Sequence, residues 1–166
     1  MNDPPRPGRP GRPGRRGLAL ILVLLQFTLA AYLVLGTRFG TPGLIDGGLA
    51  ALGVSVAVWA WVTMGWTRLR VMPDPRHDAV LIDWGPYRWI RHPMYSGLLL
   101  FTLGLIVHDG GPRRWLLFGL LAAVLVAKAT IEERILCESL PGYPGYRRRT
   151  GFFFPQIFGR PRRPDE

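Results

Sequence analysis

Apolar residues gather into four stretches of the chain, with polar residues crowded between them. The stretches cover residues 18–36, 48–66, 94–107 and 115–131. The first two contain no charged side chain, and at about 1.5 Å per residue each is long enough to cross the ~30 Å core of a bilayer. The last two are joined by the short loop 108–112, which favours a helical hairpin. The pattern predicts an all-α integral membrane protein with about four transmembrane helices.

The basic residues are distributed unevenly around these stretches. The net charge is +10, and 20 of the 21 basic residues are arginine. With four spans, eighteen basic residues fall on one side of the membrane and three on the other. Because positively charged loops stay in the cytoplasm, we expect a multi-pass protein of a bacterial-type inner membrane with both termini cytoplasmic. A cleaved signal peptide, the alternative explanation of the first stretch, is disfavoured by its length and by the three stretches that follow it.

The N-terminus has a composition of its own. Residues 1–16 are rich in arginine, proline and glycine, and after Met1 no side chain could hold the segment in an apolar core, which predicts a disordered basic tail. The remainder, residues 17–166, is predicted to form a single membrane domain. The tail either contacts anionic lipid or serves as a solvated topology signal. It has no aromatic residues to stack on bases, so we expect no nucleic acid partner.

The composition also excludes several kinds of site. The chain has one cysteine, Cys137, and three scattered histidines, which excludes an intramolecular disulfide and most zinc sites, and we predict no metal site. The glycine-rich phosphate-binding motifs of soluble nucleotide enzymes are also missing from the sequence.

Side chains capable of chemistry flank the start of the third stretch. Pro93 fits the first turn of a helix and disfavours helical geometry at the preceding residue, so His92 is predicted at the helix entrance. Unpaired N–H groups and the positive end of the helix dipole suit a ligand carboxylate there, with Arg91 and Tyr95 beside it. Alternatively, Arg91 and His92 face lipid headgroups and cap the helix.

The end of the fourth stretch carries a lysine and two glutamates. Lys128 and Glu132 are four residues apart and share a helix face, whereas Glu133 lies about 100° round the helix. Lys128 is expected roughly 9 Å below the cytosolic boundary, where ionisable residues usually face a bundle interior or an aqueous cavity. The alternative is that Lys128 extends towards the interface and pairs with Glu132.

Two separated motifs flank the third and fourth stretches. The first, within residues 85–97, reads Gly-x-Tyr and then Arg-His-Pro-x-Tyr-x-Gly. The second is Glu-Glu-Arg at 132–134, followed by Leu-Pro-Gly-Tyr-Pro-Gly-Tyr at 140–146 and by Pro155. Together they resemble the isoprenylcysteine carboxyl methyltransferase and phospholipid methyltransferase families of integral membrane enzymes. The resemblance covers roughly residues 76–158, which form the motif-bearing half of the chain.

The resemblance implies S-adenosylmethionine as cofactor, held in a cytosol-facing pocket. Carried over residue by residue, it implies that the segment Ala79-Val80-Leu81-Ile82 contacts the cofactor largely through its backbone. Tyr87, Arg91 and His92 would line the pocket, and Glu132 would hydrogen-bond the cofactor. Lys128 falls where prenylcysteine methyltransferases place an arginine that engages the substrate carboxylate; lysine keeps the charge but has no bidentate fork.

The expected activity is methyl transfer to a lipidic or isoprenoid-like acceptor, with a carboxylate as the favoured nucleophile. His92 and Glu132 are the predicted catalytic residues, and His92 would be the base if the acceptor were an amine. The alternatives are phospholipid N-methylation, nicotinamide-dependent reduction by a membrane reductase, and a non-enzymatic membrane scaffold. The expected partners are a lipidic small-molecule substrate and membrane lipid, without an obligate protein partner.

Overall fold

The computed structural model describes residues 13–38, 40–41, 43–65 and 81–156, and most residues in these ranges are helical. The α-helices are α1 (Pro13–Leu35), α2 (Leu44–Met64), α3 (Pro93–Asp109), α4 (Pro112–Ser139) and α5 (Tyr143–Arg149), and a 3-10 helix covers Gly85–Arg88. Three helices, α1, α2 and α4, are long and apolar enough to cross a membrane, and α3 is a shorter apolar helix of 17 residues. The predicted all-α membrane architecture is confirmed.

The start of α1 differs from the boundary predicted for the tail. The tail was expected to continue through Arg16, but α1 begins at Pro13. Proline fits the first turn of a helix because the N–H it lacks has no intrahelical partner there, so Pro13 starts the helix instead of preventing it. Residues 1–12 of the predicted tail lie outside the described residues.

Glycines let α2 and α3 pack backbone to backbone. A Cβ atom on Gly97 would lie 2.7 Å from the carbonyl oxygen of Gly53, and one on Gly53 would lie 2.3 Å from the amide nitrogen of Phe101. A Cβ atom on Gly104 would likewise lie 2.6 Å from the carbonyl oxygen of Asp46. Such contacts are typical of membrane helices, whose association depends on close packing more than on the hydrophobic effect. This packing fixes α3 in the bundle.

The apolar core lies where α1, α3 and α4 meet. Its fully buried members include Leu33 of α1, Ile106 of α3 and Leu121 and Leu125 of α4. Many large apolar side chains on the outer faces are exposed, such as Leu24 on α1. Outward-facing apolar side chains are expected of helices surrounded by lipid.

Arg114, in the first turn of α4, connects the start of that helix to the ends of α1 and α3. It donates hydrogen bonds to the carbonyl of Leu33 and the hydroxyl of Thr37, both over 2.7 Å, and pairs with Asp109 at 3.2 Å. These contacts close the α3–α4 hairpin against the end of α1. The hairpin therefore brings the start of α3 and the last turns of α4 to the opposite end of the bundle.

The chain after α5 folds back across the start of α3, and we name residues 150–154 the C-terminal strap. Gly151 forms a parallel β-bridge with Ile90, and its carbonyl accepts a hydrogen bond from the Arg91 amide over 2.8 Å. Ser96 of α3 donates to the Phe153 carbonyl over 2.7 Å. The strap thereby joins the loop before α3 to the C-terminal segment.

Candidate active site

His92 is the residue that precedes α3, as predicted, and Pro93 is the first residue of the helix. Its side chain is buried and lies among aromatic rings. The imidazole is parallel to the Tyr95 ring at a centroid distance of 5.4 Å, and Phe152 of the strap meets it edge-on at 5.1 Å. Stacking of this kind fixes the plane of the ring and directs its two nitrogens towards the end of α4.

Two consecutive glutamates of α4 face these nitrogens. Nδ1 of His92 lies 3.8 Å from Oε2 of Glu132, and Nε2 lies 3.4 Å from Oε1 of Glu133. The hydroxyl of Tyr95 donates to the Glu132 carboxylate, 2.8 Å from Oε1 and 3.0 Å from Oε2. The structure therefore brings together His92, Tyr95 and Glu132, which the sequence placed in one site although 40 residues separate His92 from Glu132.

Glu133 has a role that the sequence reasoning missed. It is only 3% exposed, and its carboxylate pairs with Nε of Arg91 at 2.5 Å and with Nε of Arg147 at 3.0 Å. The side chain of Glu132, by contrast, is 32% exposed. The two carboxylates have different surroundings: Glu133 is enclosed by protein cations, whereas Glu132 remains open to a ligand. The Glu-Glu-Arg motif indicated two carboxylates, but not which one pairs with Arg91.

Arg91 is engaged almost entirely by the protein. Besides Glu133, its guanidinium donates to the carbonyls of Arg147, over 2.9 Å, and Thr150. Its aromatic neighbour is Phe152 of the strap, at 5.6 Å from the ring centroid. Arg91 was predicted to line the cofactor pocket; in the structure it joins α4, α5 and the strap, and its role towards a cofactor stays a prediction.

Lys128 of α4 forms its hydrogen bond with a residue of α1. Its ammonium donates a hydrogen bond to Oε1 of Gln26 in α1 over 3.1 Å and lies 5.0 Å from the centre of the Tyr95 ring. The hydrogen-bond partner of Lys128 is therefore Gln26, and not Glu132, which the alternative interpretation of the sequence gave as its partner. Tyr95 thus contacts both residues: Lys128 lies near its ring and Glu132 accepts the hydrogen bond of its hydroxyl.

Buried tyrosines support the aqueous end of the site. Tyr146 of α5 donates to the carbonyl of Tyr87 over 2.7 Å. Burial raises the pKa of Tyr146 to about 12 and the pKa of Tyr87 still further above its ordinary value. Both hydroxyls therefore stay protonated at neutral pH.

An open cavity of about 420 Å³ lies next to these tyrosines, lined by Asp83, Arg88, Tyr146 and Arg149. Arg149 pairs with Asp83 at 2.9 Å across the cavity. Of the backbone segment implied for the cofactor, Leu81 and Ile82 are half-buried just before Asp83. Ala79 and Val80 lie outside the described residues.

The geometry describes a cluster of polar and aromatic side chains at one end of a bundle of apolar helices. The sequence profile of the phospholipid methyltransferase family matches residues 43–140, which is more than half of the chain. The chain belongs to that family, which confirms the resemblance seen in the motifs. No solved structure matches the chain.

Three curated proteins are similar to the chain over about two thirds of its length. It is 34% identical over 112 residues to the cobalt-zinc-cadmium resistance protein CzcN of Cupriavidus metallidurans, covering 66% of this chain and 49% of that protein. It is 27% identical over 114 residues to the nickel-cobalt-cadmium resistance protein NccN of Alcaligenes xylosoxydans xylosoxydans, covering 68% of this chain and 53% of that protein. It is 26% identical over 121 residues to polyprenal reductase 1 of Arabidopsis thaliana, covering 68% of this chain and 36% of that protein. The chain spans about half the length of the first two.

Proposed function

We propose that the chain is an S-adenosylmethionine-dependent methyltransferase that acts on a lipidic or isoprenoid-like acceptor. The observation that carries the proposal is the position of the Tyr95–Glu132 pair. Glu132 is partly exposed beside His92, and Lys128, one turn earlier on α4, lies against the Tyr95 ring. In the proposed topology Glu132 faces the aqueous end of the helix and Lys128 the membrane. A water-soluble methyl donor and a bilayer-dissolved acceptor can approach such a site from opposite sides.

The residues present suit the donor. Glu132 is an acceptor-only carboxylate, which fits the ammonium group or the ribose hydroxyls of S-adenosylmethionine. The neighbouring aromatic rings and the open cavity by Tyr146 suit its nucleoside portion. Bound there, S-adenosylmethionine would supply an electrophilic methyl group on its sulfonium.

The protein mainly aligns the methyl donor with the acceptor and excludes water from the site. Tyr95 holds the Glu132 carboxylate by a hydrogen bond, and Phe152 of the strap packs edge-on against His92. A carboxylate acceptor needs no general base, so binding in the correct orientation supplies most of the rate enhancement. For an amine acceptor, as in phospholipid N-methylation, His92 would accept the proton that the nitrogen must lose. Lys128 is proposed to contact the acceptor.

The proposed topology follows from the same arrangement. With both termini in the cytoplasm of a bacterial-type inner membrane, the open cavity would face the cytosolic pool of the donor. Reporter fusions after Gly40 and Gly111 should then give periplasmic signals, and fusions after Arg76 and Glu166 should give cytoplasmic ones. The opposite pattern would place the site on the wrong side for a cytosolic donor.

Donor binding tests the proposal. The purified protein in neutral detergent should bind S-adenosylmethionine in isothermal titration, and Glu132→Gln should weaken binding at least about tenfold because a charge-assisted hydrogen bond is lost. Glu138→Gln, an exposed glutamate on the same helix, is the matched control and should bind normally. Absence of binding by the wild-type protein would reject the proposal.

A second candidate is reduction of a lipid carbonyl or conjugated alkene by a nicotinamide cofactor. It is favoured by the similarity to polyprenal reductase 1. Titration with NADPH and NADH, beside S-adenosylmethionine, separates the two candidates. Binding of a nicotinamide cofactor without binding of S-adenosylmethionine would favour the reductase.

A further inference from the structure

Two exposed tryptophans meet where the 3-10 helix packs on the end of α2. Trp59 lies on α2, five residues before the helix ends at Met64, and its ring is 6.0 Å, centroid to centroid, from that of Trp89. Both side chains are exposed on the outer surface of the bundle. Tryptophan collects at the headgroup level of membranes, because its ring is apolar and its N–H is polar. The pair is therefore expected at the boundary between lipid and water.

The 3-10 helix is fixed in this position from both sides. Gly85, with a φ of +60°, lies so close to α2 that a Cβ atom on it would be 2.7 Å from Oγ1 of Thr63. Thr63 is buried, and its hydroxyl donates to the carbonyl of Trp59 over 2.8 Å. On the other side, the carbonyl of Tyr87 accepts the hydrogen bond of the Tyr146 hydroxyl. The 3-10 helix is thus held between α2 and α5.

Arg88, the last residue of the 3-10 helix, carries a charge that is not neutralised by the residues around it. Arg88 is exposed, and its guanidinium lies 6.0 Å from the centre of the Trp89 ring. Asp83, which lines the same cavity, pairs with Arg149 instead. Within residues 81–156 and the described parts of the chain before them, no carboxylate lies within ion-pair distance of Arg88. Its guanidinium is therefore available to the oxygens of a phosphate, which it can bind through two parallel hydrogen bonds.

We propose that Arg88, Trp89 and Trp59 form a docking surface for an anionic phospholipid of the bilayer, such as phosphatidylglycerol. Arg88 binds the phosphate, and the two indole rings lie against the glycerol and the first methylenes of the acyl chains. Charge favours an anionic headgroup over a choline headgroup, because Arg134 and Arg148 are further exposed cations of this end of the chain. Phosphatidylglycerol has neither an amine nor a carboxylate to methylate. This bound lipid is therefore not the acceptor, and the surface goes beyond the proposed reaction.

Binding of paired lipids tests the surface. Native mass spectrometry of the full chain in neutral detergent gives dissociation constants for dioleoyl phosphatidylglycerol and dioleoyl phosphatidylcholine. The wild-type protein should bind the first lipid about fivefold or more tightly than the second, the ratio that corresponds to about 1 kcal/mol per arginine near an anionic headgroup. Soluble glycerol phosphate should not displace the lipid, because it has no acyl chains to lie against Trp59.

Substitution of Arg88 separates this surface from a general attraction to a basic protein. Arg88→Gln should lower the affinity for dioleoyl phosphatidylglycerol about fivefold, and Arg88→Lys should keep most of it because the charge is retained. Arg134→Gln removes an exposed arginine of α4 and is the matched control, which should change the affinity little.

Substitution of Trp89 tests the aromatic part of the surface. Trp89→Leu keeps an apolar side chain but removes the ring beside Arg88, and it should weaken binding about two- to fivefold. Trp115→Leu, at an exposed tryptophan near the start of α4, is the control and should bind the lipid normally.

Four results would overturn the surface. The first is equal affinity of the wild-type protein for the two lipids, and the second is tighter binding of phosphatidylcholine, which would assign the indole pair to its ammonium group. The third is an equal loss in Arg88→Gln and Arg134→Gln, since the lipid would then respond to net charge alone. The fourth is displacement by glycerol phosphate, which would indicate a site for soluble phosphates. These measurements use no S-adenosylmethionine, so failure of the proposed methyl transfer would leave them unchanged.

Discussion

Oε1 of Glu133 lies 2.5 Å from Nε of Arg91, although 42 positions separate the two residues in the chain. The same carboxylate also reaches Arg147 of α5. Both partners of the Arg91–Glu133 pair are almost fully buried, so neither charge can be hydrated if the other is removed. The pair therefore connects the loop before α3, the end of α4 and the C-terminal segment, and it shapes the site without occupying it.

Removing the Glu133 carboxylate should lower the free energy of unfolding far more than removing an exposed carboxylate. Glu133→Ala leaves Arg91 buried without its ionic partner, and we expect a loss of about 3–5 kcal/mol in unfolding free energy. Glu138→Ala, one turn further along α4 and exposed, is the matched control and should have little effect. The measurement is unfolding of the two variants in the same detergent. Equal stabilities would show that the buried pair does not hold the C-terminal segment.

The contact between α2 and α3 should tolerate no side chain at Gly97. A Cβ atom there would meet the backbone of Gly53 at 2.7 Å and Ala57 at 2.8 Å, so Gly97→Ala should destabilise the protein by about 1–3 kcal/mol. Gly119→Ala is the matched control, because its Cβ would have nothing within 4 Å and alanine is the better helix former. Thermal unfolding compares the two variants, and a Gly97→Ala protein as stable as the control would contradict the close packing.

The attachment of the strap should depend on Ser96. Its hydroxyl donates to the carbonyl of Phe153 and is buried, so Ser96→Ala should cost about 1 kcal/mol and expose the strap amides to solvent more often. Ser139→Ala removes an exposed serine hydroxyl that bonds only within α4 and serves as the control. Hydrogen exchange of residues 150–154 is the readout. Unchanged exchange in Ser96→Ala would mean that the backbone bridge alone holds the strap.

Alkaline pH should destabilise the aqueous end of the site. Burial raises the pKa of Tyr146 from 10.0 to about 12, so the unfolded chain loses this proton first as the pH rises. The stability that protonated Tyr146 contributes is complete below pH 10 and is lost progressively between pH 10 and about 12. The melting temperature, measured from pH 9 to 12, should decrease as the pH rises through this window. The melting temperature of Tyr146→Phe should decrease less steeply. A flat wild-type profile would contradict the burial of this hydroxyl.

The sequence by itself determined the all-α membrane class of the protein and the start of α3 at Pro93. Uninterrupted apolar stretches satisfy the bilayer only as helices, so the all-α architecture followed from composition and length. Pro93 placed His92 at the entrance of α3 through local sterics, and the spacing of Lys128 and Glu132 set their common face through the helical repeat. The motifs brought His92, Tyr95 and Glu132 into one site because a short hairpin leaves few other positions for them.

Only the tertiary structure decided how the charges are partnered. Helical periodicity gives the direction of Glu133 relative to Glu132, but not which neighbour lies in that direction, and α5 with the strap supplies Arg147 and the carbonyls that engage Arg91. In the same way, the i,i+4 spacing allowed Lys128 to pair with Glu132, whereas the packing of α1 against α4 gave it Gln26, 102 positions away. Pairings across such separations depend on how whole helices pack, which no local pattern encodes.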